Sequence, residues 1–433
     1  MKNEVQILNE LDRAYPDLCA AIERAYQAQD WNLVMDLVWE LSEFFYHRVH
    51  WEDQRRYLKY AIEAAQMAGD RKSQAQFQHT LGAIVYEQGH YEEAERLYKE
   101  TLAVFDELGM RESYADTLNQ IAILAEAKGE YLEARKAYEQ ALLIWEKFLG
   151  PEHPKVAIAM ANMGGVLRAL DELKEAKAAY ERALRIDEAV YGPEHLAVAR
   201  DVNNLGRVLQ DLGNLVGARA AYERALRILE QYLGEDHPDV ATALNNLGSM
   251  LHDLGDLAGA RACYEQALRI DEAVYGPEHP NVAIRVNNLG RVLQDLGDLA
   301  GARACFERAL RIWEASLGPE HPHVATAVNN LGSVLRDLGD LAGARACFER
   351  ALRIDEAVYG PDHPEVAAAV NNLGSVLRDL GDLAGAKAAY ERALRIWEAS
   401  LGPEHPQLAT ADLQTLSQQL VTFLAPFLPY LLK

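Results

Sequence analysis

Seven histidines occupy one recurring place in the chain: His153, His195, His237, His279, His321, His363 and His405. A regular histidine series invites a metal or proton-relay reading. The spacing argues against a metal. Each copy supplies one imidazole, and copies separated by one helix diameter stand about 10 Å apart, too far to share a zinc ion. The simpler reading is a helix-start and loop position before proline. Cys263, Cys305 and Cys347 also hold matched places, each just before an aromatic residue, while Cys19 stands apart. They read as small apolar filler between helices, too far apart for disulfides. A reducing, cytosolic setting fits. No G-x-x-x-x-G-K-[ST], strand-linked G-x-G-x-x-G, H-E-x-x-H or G-x-S-x-G motif occurs. No enzyme, cofactor or metal is therefore expected.

The residues best suited to recognition are amides and guanidinium groups. Paired asparagines recur as Asn203-Asn204, Asn245-Asn246, Asn287-Asn288, Asn329-Asn330 and Asn371-Asn372. An amide both donates and accepts, so a row of amides can pair with the backbone of an extended peptide of any sequence. Arg168, Arg200 and Arg207 accompany the row, as do Arg291, Arg336 and Arg378. Their planar forks suit carboxylates. A second reading stays open. One Asn of each pair would bond the neighbouring unit, and the arginines would pair with nearby Asp211, Asp295, Asp337 and Asp379.

These residues sit in a repeated unit, clearest as NNLGSVLRDLGDLAGARACFERAL over residues 329–352. Val328, Leu331, Leu335 and Leu338 follow three-four-three spacing and predict the apolar stripe of a first helix. Thr326, Asn329, Asn330, Ser333, Arg336 and Asp337 fall beside or opposite that stripe. Gly332 inside the helix costs about 1 kcal/mol against alanine, which close approach of the partner helix would offset. Gly339 suits a left-handed C′ residue, and Asp340 an N-cap. The second helix is expected to bury Leu341, Ala344, Phe348, Ala351 and Leu352. The loop glycines Gly150, Gly192, Gly234, Gly276, Gly318, Gly360 and Gly402 recur every 42 residues. A divergent first copy spans 31–69, with Leu41, Phe45, Leu58 and Ala61 at helical spacing and a turn at Val49-His50. Before it, residues 1–30 read as helical, with Pro16 starting a helix that carries Leu18, Ala21, Ile22 and Ala25 on one face. The array occupies 70–406, with eight further repeats. Residues 407–433 read as a capping helix and apolar tail.

The Leu331-Gly332, Leu335, Ala344, Phe348 and Ala351 anchors, and Leu247-Gly248, Leu251, Ala260, Tyr264 and Ala267, resemble the tetratricopeptide repeat. The 42-residue length and Y/L-G-P-E-H-P loop resemble the kinesin light chain type, found also in bacterial proteins and in sensor regions of STAND signalling ATPases. The resemblance implies an all-α solenoid of helix-turn-helix repeats wound as a right-handed superhelix. It places first helices, and with them the Asn pairs and arginines, along a concave peptide groove. The kinesin light chain's N-terminal heptad coiled coil is absent, which argues against motor attachment. A P-loop is absent too, so only the sensor portion of a signalling ATPase would be represented.

Charge narrows the partners. Asp plus Glu number 66 against 43 Lys plus Arg, a formal net charge of −23. That balance disfavours nucleic acid, and the Asn face carries no repeated stacking aromatics. The hydrophobic share of 49% supports a packed interior. The N-terminus has no apolar signal-peptide core and no run reaches bilayer length, so a cytoplasmic protein without a membrane span is expected. The expected function is a scaffold that holds an extended acidic or mixed-charge peptide or protein segment, which the resemblance extends to the sensor arm of a larger signalling protein. The alternative is a self-association module that forms homo-oligomers through the groove or the apolar tail.

Overall fold

A computed structural model describes residues 2–47 and 51–401. The expected turn at Val49-His50, the loop residues Gly402 and His405, and the closing segment 407–433 lie outside the described residues. Among the described residues there are nineteen helices and no strand. After α1 (Lys2–Gln27) come helical pairs: α2 (Trp31–His47) with α3 (Trp51–Ala68), α4 (Arg71–Glu87) with α5 (Tyr91–Glu107), and α6 (Arg111–Ala127) with α7 (Tyr131–Phe148). Next are α8 (Pro154–Ala169) with α9 (Leu173–Tyr191), α10 (Leu196–Asp211) with α11 (Leu215–Leu233), and α12 (Pro238–Asp253) with α13 (Leu257–Tyr275). The last are α14 (Pro280–Asp295) with α15 (Leu299–Leu317), α16 (Pro322–Asp337) with α17 (Leu341–Tyr359), and α18 (Pro364–Asp379) with α19 (Leu383–Leu401). The chain divides into two compact units, Met1–Ala221 and Tyr222 onward, with the division inside α11.

The turn chemistry explains each hairpin. α16 ends in a Schellman motif: the Gly339 N–H donates to Arg336 O at 3.0 Å, and the Asp340 N–H to Leu335 O at 2.9 Å. Gly339 sits at φ +85°, where a side chain would be strained. Asp340 then caps α17 by accepting from the Gly343 N–H at 2.9 Å. One residue thus closes the first helix and opens the second, which makes the turn short and its geometry repeatable.

Packing inside a pair centres on an aromatic over a glycine. Phe348 of α17 is buried against α16, and a Cβ built on Gly332 would lie 2.9 Å from Phe348 Cε1. The expected compensation for a helical glycine is therefore this close approach. In the first unit, Tyr98 over Gly82 and Tyr180 over Gly164 repeat the contact. That unit's core runs from Ile22, Val38, Phe45 and Leu58 in its early helices to Trp145, Val156 and Ile186 in its later ones. In the second unit, Val282, Val286, Ile312, Trp313, Val324 and Val328 belong to one buried cluster. Burying such side chains contributes about 1.5–3 kcal/mol each relative to exposure.

At four residues the structure departs from the sequence expectation. Pro16 does not begin a helix but lies inside α1. Its predecessors Leu8, Glu10, Leu11, Arg13 and Ala14 are good helix formers. They carry the helix through a proline that forfeits one backbone bond. Leu338 does not complete the buried stripe: it is 46% exposed. As the C-cap residue before the Gly339 reversal, it sits at the rim of the pair. Leu341 and Leu352 are half-buried rather than buried, whereas Ala344, Phe348 and Ala351 meet the expectation.

Candidate functional site

The asparagine pairs link consecutive first helices in the second unit. Asn288 Nδ2 donates to Asn245 Oδ1 at 2.9 Å, Asn330 Nδ2 to Asn287 Oδ1 at 3.0 Å, and Asn372 Nδ2 to Asn329 Oδ1 at 2.9 Å. The second Asn of each repeat thus reaches back to the first Asn of the repeat before it. Asn246 and Asn371 hold the matched register and are half-buried. In the first unit, Asn203 and Asn204 do the same on α10. The ladder consumes one donor and one acceptor per junction. An amide has two donors and a carbonyl oxygen, so each Asn keeps hydrogen-bonding capacity.

A second ladder runs beside the first. Arg168 pairs with Asp211 in the first unit. In the second, His252 Nε2 meets Asp295 at 2.5 Å and Gln294 Nε2 donates to Asp337 at 2.6 Å. Arg336 approaches Asp379 at 3.8 Å, and Arg378 lies 3.3 Å from the same carboxylate. The aspartates proposed as arginine partners are therefore held, but Asp295 and Asp337 are held by His252 and Gln294. Arg200 turns to two carboxylates, Asp187 at 3.3 Å and Asp201 at 3.0 Å. Arg207 and Arg291 are exposed, and neither enters an ion pair among the described residues.

Five of the sequence-predicted residues converge. Arg291, Asn329, Asn330, Arg336 and Asn372 line one depression of about 310 Å³, together with Gln294, Asp295, Ser333 and Phe348. Two guanidinium groups against one carboxylate make this a locally basic spot on a chain of net charge −23. The arrangement suits a carboxylate flanked by peptide backbone. Arg168, Arg200 and Arg207, with Asn203 and Asn204, belong to the first unit and do not join this depression.

The histidines are helix caps. Nδ1 of His153, His195 and His237 accepts from the backbone N–H of Lys155, Ala197 and Asp239 at 3.1–3.2 Å. His279, His321 and His363 do the same for Asn281, His323 and Glu365. Their Nδ1 atoms are thereby committed to the helix starts. The four cysteines are free thiols, and burial pushes the Cys263 thiol up to about 11.

A single second-helix position alternates as Trp145, Asp187, Leu229, Asp271, Trp313, Asp355 and Trp397. The visible signal is RIDEAVYG trading with RIWEASLG, a period of two repeats. Trp313 is 2% exposed and stacks on His323 at 5.1 Å. In the first unit, buried Asp187 and Asp201 both face Arg200, at 3.3 and 3.0 Å. Burial, first of all, pushes Asp201 up to about 7 and raises Asp187 as well. In the second unit, buried Asp271 holds Arg285, whose Nε donates to Asp271 Oδ2 at 2.9 Å. The same guanidinium donates to Thr242 Oγ1 at 3.2 Å. At the next acidic repeat the three matched residues are Asp355, Ala369 and Thr326, and all three line a cavity of about 150 Å³.

Paired helices, an aromatic over a glycine and a 42-residue register define a tandem helical-repeat protein. A family model described as tetratricopeptide repeat matches residues 113–189, 159–214, 201–273, 239–298, 283–357 and 323–386. A second model of the same description matches 75–105 and 366–407. The chain belongs to the tetratricopeptide repeat family. A search of curated protein sequences found no match. Among solved structures, the chain is similar to the STAND protein PH0952 of Pyrococcus horikoshii, which has a tetratricopeptide repeat sensor. That match has a TM-score of 0.57 and 15% identity, covering 89% of this chain and 54% of the other. It is similar also to the apo form of RapI, with TM-score 0.53 and 16% identity, covering 65% and 97%. BtubC (BKLC) from P. vanneervenii is 26% identical, with TM-score 0.46, covering 54% and 94%. Among the described residues no helix is long and apolar enough to cross a membrane.

Proposed function

We propose that the chain is a non-catalytic interaction scaffold that holds an extended peptide or protein segment along the asparagine face of its first helices. The observation carrying this reading is the convergence of Arg291, Arg336, Asn329, Asn330 and Ser333 on one depression. The amides serve the junctions and still have capacity for a peptide backbone, while Arg291 is engaged in no ion pair among the described residues. A carboxylate-bearing segment fits that chemistry. The fold likeness to a STAND protein with a tetratricopeptide repeat sensor supports a sensor-arm role within this reading.

The test separates recognition from folding. Asn329→Ala removes a junction bond as well as a ligand group, so it cannot discriminate alone. Arg291→Glu changes an exposed side chain and leaves the junctions whole. A partner captured with the intact protein should be lost from Arg291→Glu while the melting temperature holds. Retained binding would refute the groove. Light scattering across concentration tests the alternative: concentration-dependent growth in mass that Arg291→Glu abolishes would make the partner a second copy of the chain.

A further inference from the structure

The Asp271 and Asp355 sites are built from matched residues, and only one of them is filled. At the first, Arg285 bridges the Asp271 carboxylate and the Thr242 hydroxyl, and the pair is buried, with side chains 8% and 1% exposed. At the second, both acceptors recur as Asp355 and Thr326, but Ala369 stands where the arginine would. A cavity of about 150 Å³ remains, and Asp355 enters no ion pair among the described residues. Glu365 also lines the cavity and adds a second carboxylate, where the matched residue of the filled site is the neutral Asn281. Thr326, Tyr359, Glu365 and Ala368 are all exposed, so the cavity opens to solvent.

We propose that this cavity receives an arginine side chain from a bound protein segment, the guanidinium taking the place that Arg285 fills in the earlier repeat. The ligand chemistry is read from the molecule itself: the same carboxylate and hydroxyl positions already bind a guanidinium two repeats upstream. Burial, followed by the Glu365 carboxylate, pushes Asp355 up to about 6, as expected for an acid that lacks its counter-ion. A segment-borne arginine is favoured because Asn329 and Asn372, joined by a hydrogen bond between their amides, line both this cavity and the basic depression. A segment crossing that bond would present a carboxylate to Arg291 and Arg336 on one side and an arginine to Asp355 and Glu365 on the other. This deepens the scaffold reading above and rests on it for the segment, though not for the guanidinium.

The test uses the full chain and the peptide acetyl-Gly-Arg-Gly-amide, carrying ¹³C at the guanidinium carbon. Broadening of that resonance on titration reports binding. The neutral citrulline counterpart is the control. Wild type should broaden the arginine peptide and not the citrulline one. Asp355→Asn and Ala369→Arg should each weaken binding at least about tenfold, the loss of a charge-assisted pair. Ala369→Met fills the cavity without charge and should do the same, so the proposal stays testable if Ala369→Arg misfolds. Arg285→Ala should add a second site of the same kind. Equal broadening by wild type and the cavity variants overturns the proposal, as does equal binding of the citrulline peptide. Free arginine that displaces the peptide at equal or lower concentration overturns the choice of a segment-borne side chain. Acetyl-glutamate, read against Arg291→Ala, reports separately on the basic depression. If acetyl-glutamate binding persists while the arginine peptide fails, only the arginine cavity is lost. If the reverse holds, the cavity stands and the basic depression is lost.

Discussion

Asp271 and Asp355 occupy the same place two repeats apart, and their surroundings differ chiefly by one side chain. Arg285 closes the first site. Ala369 leaves the second open, half-burying an acid whose proton affinity is raised. The hydrophobic frame is the same in both: Ile270 and Ile354, and Val286 and Val370, are buried at matched positions. A repeat array can therefore change a polar site without disturbing its neighbours, since each pair's packing is set by its own small residue, aromatic and alanines. The difference is energetic as well as chemical. A buried acid with its arginine is neutral as a unit. An acid without it needs water, a proton or a ligand.

The largest test of this contrast removes the arginine. Arg285→Ala should cost roughly 3–5 kcal/mol, because it strands the Asp271 carboxylate at 1% exposure. Chemical denaturation at neutral pH would measure it. Asp271→Ala with Arg285→Ala should cost less than Arg285→Ala alone, since no charge is then left unpaired. A single-variant cost under about 1 kcal/mol would mean that the filled and open sites are energetically alike.

The Asp187–Asp201 pair of the first unit sharpens the comparison with a third state, acid against acid. Asp201 is fully buried and titrates near 7, chiefly through burial. Its folded value lies above the unfolded value near 4. The folded state therefore holds a proton that the unfolded chain has released, and stability falls as pH rises from about 4 to about 7. Asp201→Asn should flatten that segment of the stability curve. It should also stabilise the protein at pH 8 by on the order of 2 kcal/mol. A melting series from pH 4.5 to 8 decides the point, and an unchanged slope in the variant would assign the pH dependence elsewhere.

The repeat itself was legible in the residues, from the Leu331-Gly332 anchor to the Gly339-Asp340 turn, because local spacing and capping chemistry dictate it. The asparagine and arginine positions were legible as a set on one face. Which Asn binds its neighbour was not, because a junction bond depends on how one repeat is displaced against the next. The same limit hid the pairing of Asp337 with Gln294 rather than with an arginine. Asp355 was missed for another reason. Reading one 42-residue unit as typical averages away the alternation of Asp with Trp, and Ala369 is informative only beside Arg285. Leu338 and Pro16 were misjudged because apolar spacing and proline preference are local signals, whereas rim position and helix continuation are set by packing.

A smaller effect tests whether the frame is as constant as the Asp271–Asp355 contrast requires. Gly332→Ala would place a methyl 2.9 Å from Phe348 Cε1 and 3.1 Å from Cys347 Cβ. The variant should lose roughly 1–2 kcal/mol by overpacking, despite alanine's better helix propensity. The matched residue of α6 is Ala122, fully buried in the cluster that holds Tyr138, so one pair already accommodates the methyl. A neutral Gly332→Ala would mean that the later pairs relax as that one has.

The smallest effect is that of the amide–amide hydrogen bond between the two sites. Asn372→Ala removes the 2.9 Å donation to Asn329 and should cost about 1 kcal/mol, a typical net hydrogen bond. The informative quantity is the coupling in a double-mutant cycle with Asn329→Ala. If the ladder is a structural joint, the coupling should equal most of that loss and the two single variants should cost alike. Because both residues also line the basic depression and the Asp355 cavity, the same variants should weaken the arginine peptide and acetyl-glutamate together. Coupling in stability without any change in either ligand would leave the amides as joints alone, and would break the link between the two neighbouring sites while leaving Asp355 and Ala369 to be judged on their own.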